Sequence, residues 1–208
     1  MDIYLETADV DPDTLRNLGP LAALAGIWEG EGVDVHPVAG GEQREAFFER
    51  AELHPIDPQS NGPQLLYGLR YHIWICKIGE TETFHDQVGY WLWEPATRTV
   101  IQSLAIPRAQ VAMASGTAEP DARQFTVRAE LGSPTFGICS GPFLDTHFKT
   151  LSYTHTVTVN ANGTITYAED TVLKIPDRAE PFHHTDTNTW HKVGEPRPNP
   201  KIRPALGH

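Results

Sequence analysis

Apolar and polar residues alternate with a period of two along most of this chain. The clearest stretch is Leu65, Tyr67, Leu69, Tyr71, Ile73 and Ile75, six apolar side chains on one face of an extended segment. Leu66, Gly68, Arg70, His72, Trp74 and Cys76 occupy the opposite face, and the apolar face makes the better inner wall, which turns Arg70 and His72 outward. Residues 77–82 turn the chain, 84–93 return rich in aromatic and β-branched residues, and a turn at 95–98 feeds a strand over 99–106. Further strands are predicted at 27–35, 42–53, 110–114, 125–131, 136–139, 150–160, 164–175 and 182–193. Asn160-Ala161-Asn162-Gly163 is a hairpin turn suited to positive φ.

Ahead of the strands, Asp11-Pro12-Asp13-Thr14 combines a capping acid with proline at the first helical position, which predicts one or two turns of helix. A second short helix is predicted at 21–25. The pattern therefore describes an all-β chain with a short N-terminal helix. About ten strands joined by hairpins, with no helical crossover, favour an antiparallel up-and-down β-barrel, which leaves no sheet edge exposed; a two-sheet sandwich is the competing arrangement. The organisation reads as an arm and helix over 1–19, a barrel domain over 20–193, and a proline-rich extended tail over 194–208.

Composition narrows the class. With 208 residues, 39% hydrophobic and 21% charged, the chain has enough apolar side chain for one self-sufficient domain. Its 16 basic against 27 acidic residues give a net charge of -11, which argues against nucleic acid as a partner. No apolar run is long enough to span a bilayer, and residues 1–6 lack the positive start of a signal peptide, so a cytoplasmic protein is expected. Cys76 and Cys139 each fall in an apolar run and read as buried thiols, with no need of a disulfide and no spacing for zinc. Oligomeric state is left open, a homodimer included.

Candidate chemistry concentrates at the two ends of the strand region. In Gly26-Ile27-Trp28-Glu29-Gly30-Glu31-Gly32 the glycines follow a helix and open a strand, the reverse of a phosphate-binding loop. Gly26, Gly30 and Gly32 are thus expected to permit bends or close backbone approach, with Trp28 plugging one end of the sheet. On the last strand, Phe182, His184, Asp186, Asn188 and Trp190 share one face, and His183, Thr185, Thr187, Thr189 and His191 the other. Both faces are polar, so a barrel lumen gains hydrogen-bonding groups there, which suits a polar-headed ligand or ordered water. His85 and Asp86 point apart as strand neighbours. Histidine and acid spacings give no metal motif, and the serines at 133 and 140 lack a nucleophile elbow.

The opening Leu24-Ala25-Gly26-Ile27-Trp28-Glu29-Gly30-Glu31-Gly32, a following His36-Pro37 turn and a final strand ending Trp190-His191-Lys192-Val193 resemble the nitrobindins. These are haem-binding β-barrels similar to fatty-acid-binding proteins and lipocalins, and the likeness runs over roughly 20–193. The resemblance implies a ten-stranded barrel that holds haem b at its open end through a last-strand histidine, reacts with nitric oxide and isomerises peroxynitrite to nitrate. Carried over by position, the ligand histidine falls on Thr185 and the haem-touching threonine on Val38, so both pocket residues are changed. His183 and His184 flank Thr185, and a one-residue bulge would be required to bring His184 to the face of Thr185. Three functions follow. The first is a nitrobindin-like barrel that binds a small apolar or amphipathic molecule without haem. The second is a ferric haem enzyme using His184 or His183 as proximal ligand and metal site. The third is a ligand-free scaffold.

Overall fold

The structure, a computed structural model, describes residues 2–200. A helical segment comes first, α1 (Thr14–Asn17) followed by a 3-10 turn (Gly19–Leu24). Asp13 caps α1, its carboxylate accepting from the Arg16 N–H, so Pro12 precedes the helix instead of opening it. Twelve strands follow: β1 (Gly26–Val38), β2 (Gly41–Pro55), β3 (Gln59–Asn61), β4 (Gln64–Lys77), β5 (Thr83–Glu94), β6 (Thr99–Ile106), β7 (Gln110–Thr117), β8 (Gln124–Leu131), β9 (Gly137–Ser140), β10 (Lys149–Val159), β11 (Ile165–Lys174) and β12 (Phe182–Gly194). A second helix, α2 (Pro142–His147), separates β9 from β10.

Ten of these strands close a ring. It runs β2-β1-β12-β11-β10-β8-β7-β6-β5-β4 and returns to β2, with antiparallel neighbours throughout. Such a circuit is a barrel and excludes the sandwich. β3 pairs only with β4. The strand β9 is spliced between β7 and β8, parallel to β8 and antiparallel to β7, so that β7 and β8 are paired directly only at Ser115 and Arg128.

Alternation decides which side chains enter the barrel. Tyr67, Leu69, Tyr71 and Ile73 of β4 are buried, while Arg70 and His72 lie on the outside, bonded to Asn199 and Asp86. Three sequence expectations are corrected. His36 and Pro37 form no turn: β1 continues to Val38 and the turn falls on Ala39 and Gly40, a course open to Pro37 because pairing with β12 has already ended at Val35. Cys139 is exposed and Cys76 half-buried, since β9 turns Ile138 inward and its neighbour outward. The proline-rich end packs back on the barrel as far as Asn199: the Arg197 N–H donates to His54 Nδ1 at 3.1 Å, and Asn199 reaches Asp57. The rest of that predicted tail, 201–208, lies outside the described residues.

The two barrel ends differ. At one, Leu18, Leu21 and Leu24 of the helical segment pack under Trp28 and Trp93, and the Trp28 indole donates to the Leu24 carbonyl at 2.9 Å. This end is plugged by apolar side chains. At the other, α2 lies across the mouth. No helix of the described residues is long and apolar enough to cross a membrane.

Candidate functional site

A cavity of about 510 Å³ fills the open half of the barrel, within the range of about 300–1,000 Å³ that holds drug-sized ligands. Its lining is divided. Phe47, Ile73, Ile75, Leu104, Ile106 and Ile138 form an apolar wall, and Phe84, Phe143 and Phe148 close on it at the mouth. Facing them, β1, β2, β11 and β12 contribute acids and histidines.

The regular alternation of β12 places His184, Asp186 and Trp190 on the cavity wall, with Phe182 and Asn188 buried on the same face. No bulge is needed to turn His184 inward, because β11 and β12 pair without a shift from Ile165↔Trp190 to Leu173↔Phe182. Thr185 and His183 do not line the cavity, and His183 is exposed and bonded to Asp170. Val38 also lies outside the lumen, at the exposed β1–β2 turn, where its carbonyl accepts from Arg178. Of the four pocket candidates read from the sequence, the fold brings only His184 to the cavity.

Around His184 lies a chain of paired charges. Its Nε2 is 2.8 Å from Asp34 Oδ1 and 3.8 Å from Asp186 Oδ2, while His36 Nδ1 holds the other Asp34 oxygen at 2.7 Å. Burial opposes the His184 charge, yet the hydrogen bond to Asp34 and the charges of Asp186 and Asp34 raise its pKa. Burial likewise disfavours the Asp34 carboxylate, and its two histidines outweigh this and lower its pKa. Asp186, desolvated and next to Asp34, is pushed up to about 6 despite His184. One donor atom each from Asp34, His184 and Asp186 lies within 4.8 Å of the others, a mixed oxygen and nitrogen set that suits a divalent cation.

Deeper in the lumen sits Glu49, 1% exposed. Tyr167 Oη, Asn188 Nδ2 and Trp190 Nε1 all donate to its Oε2, at 2.8, 2.7 and 2.9 Å. Desolvation still raises its pKa to about 7. Glu169, raised to about 8 by burial and by the charge of Asp186, accepts from Tyr153. Tyr153 Oη also lies 2.9 Å from His155 Nδ1 and 3.1 Å from Gln102 Oε1. A hydroxyl has one proton, so when Tyr153 donates to an ionised Glu169 the His155 proton sits on Nδ1 and Nε2 is left an acceptor with no partner among the described residues. Burial drives His155 to about 3, hence neutral.

Iron ligation by His184 would need a lone pair on a ring nitrogen. Nε2 is engaged with Asp34, so ligation would fall to Nδ1 or require that pair to open, and the surrounding wall presents carboxylates where a porphyrin ring needs apolar contact. The donor set as arranged does not fit haem.

No curated protein matches the sequence. Among solved structures, the crystal structure of Rv2717c from M. tuberculosis superposes with a TM-score of 0.62 at 16% identity, covering 87% of this chain and 98% of that one, which supports the barrel fold. The profile of the THAP4-like, heme-binding beta-barrel domain matches residues 17–192. That span takes in the ten-stranded ring, its plug and its cavity, and the chain belongs to this family, the nitrobindin family.

Proposed function

We propose that this barrel binds a small, partly apolar molecule with a hydrogen-bonding head in its lumen, and that it does not hold haem in the manner its family name implies. The divided lining carries this reading: a hydrocarbon wall from β2, β4, β6 and β9 faces Asp34, Glu49, Glu169 and Asp186 across one cavity. Apolar surface binds the body of such a ligand, and a few placed polar groups fix its orientation.

Titration of purified protein with hemin tests the second half of the proposal. The expected result is no saturable Soret shift of defined stoichiometry. A tight one-to-one complex that disappears in His184→Ala would overturn it and establish the other reading, a ferric haem protein that isomerises peroxynitrite. The position of His184 on the cavity wall is the observation that favours that alternative.

A further inference from the structure

The charges on the cavity wall narrow the class of ligand, and the narrowing rests on the lumen being a small-molecule site. Five carboxylates line it, Asp34, Glu45, Glu49, Glu169 and Asp186, against Lys77 and Arg108 as the side chains of fixed positive charge. Glu45 is spent on Lys77 at 2.8 Å and Asp34 on its two histidines. Arg108 is exposed on the turn after β6, at the mouth. The nearest base to Asp186 is His184 at 3.8 Å, already bonded to Asp34. Glu169 has the neutral His155 at 3.5 Å and shares the charge of His184 with Asp34 and Asp186. Among the described residues, Glu49, Glu169 and Asp186 thus have no cation of their own.

We propose that the lumen binds a primary amine with a short hydrocarbon tail, its ammonium inward against Glu49, Glu169 and Asp186 and its tail toward the open end. An ammonium offers three N–H donors and no acceptor. The wall offers the converse: Asp186 accepts no hydrogen bond from the described residues, Oε1 of Glu49 has no donor, and Nε2 of the 4%-exposed His155 is unpartnered. Without a counter-ion a buried carboxylate is disfavoured, and the fully enclosed Glu49 keeps its proton toward neutral pH. An incoming ammonium supplies the charge that releases that proton. An anionic head brings no such compensation and would meet the ionised fraction of the same carboxyls. The tail has a matching surface, since Phe143 and Phe148 line the cavity yet remain 64% and 37% exposed in the protein alone.

Octylamine, octanol and octanoate share a tail and differ in head group. Calorimetric titration of each at neutral pH, into the wild type and into the amide variants Asp186→Asn and Glu169→Gln, tests the proposal. Octylamine should bind at least about tenfold more tightly than octanol, with octanoate weakest, and each amide variant should remove about tenfold or more of the amine affinity while octanol binding holds. Amine binding should also release protons, seen as a heat that changes with the ionisation enthalpy of the buffer, whereas octanol should not. Octanol or octanoate binding as tightly as the amine, or unchanged amine affinity in both variants, overturns the proposal and leaves the lumenal site standing. Failure of all three probes overturns the lumenal site as well. Circular dichroism establishes that each variant folds; if one does not, the other variant and the wild-type ranking still decide.

Discussion

Burial of Glu49 fixes the sign of one pH response. Its carboxyl keeps a proton up to about pH 7, whereas the unfolded chain releases it near the ordinary value of 4.5. Between those values the unfolded state binds fewer protons, so stability falls as pH rises, and the whole loss, about 3 kcal/mol, stands above pH 7. Glu49→Gln, which has no proton to lose, should therefore forfeit about 2.5 kcal/mol less stability than the wild type between about pH 5 and about pH 8, measured by denaturant unfolding. Parallel profiles would refute the assignment. In the sequence, Glu49 hides in a charged stretch, Glu49-Arg50-Ala51-Glu52. The available signal is parity: Phe47, Glu49, Ala51 and Leu53 share one strand face, as do Trp28 and Asp34 on β1, and Tyr167, Glu169 and Leu173 on β11. An acid on the parity of buried residues marks the lumen. Sequence alternation offered His184 and Asp186 as one of two faces, and only the closed ring chose between them.

At the level of elements, β1 is constrained by how closely β12 approaches it. A Cβ added at Gly30 would lie 2.6 Å from the Thr189 carbonyl oxygen and 2.6 Å from Asn188 Oδ1, both on β12. Backbone cannot yield as a flexible side chain can, so Gly30→Ala should cost about 1–3 kcal/mol, read as a lower urea midpoint with an unchanged slope. A neutral substitution would show that β12 slides to make room. Close approach was the reading the glycine spacing supported, and the ring supplies what approaches. The long strands were legible because each carries several periods of alternation. β3, three exposed residues, carries none, and α2 is too short for a helical period to emerge from Pro142 to His147. The end of β1 is not legible locally, because a proline signals a turn unless one flank of the strand is already unpaired, a fact of pairing and not of local sequence.

For the molecule as a whole, the helical plug and α2 divide the labour of the two ends, one sealed by apolar packing and the other left open over the cavity. The joints of the ring are unequal as well. β1 and β2 match residue for residue from Gly26↔Leu53 to Val38↔Gly41, while β7 and β8 share one direct pairing. In a closed circuit the weakest joint opens first, and each strand beside it stays anchored on its other flank, β7 to β6 and β8 to β10. Deuterium exchange should reveal this as an alternating pattern, with amides of β8 that face β10 protected and every second one, facing β7, exchanging early. Uniform protection across β7 and β8 would contradict it. The splice that admits β9 therefore leaves the barrel one seam whose loosening would cost neither flanking ladder a pairing.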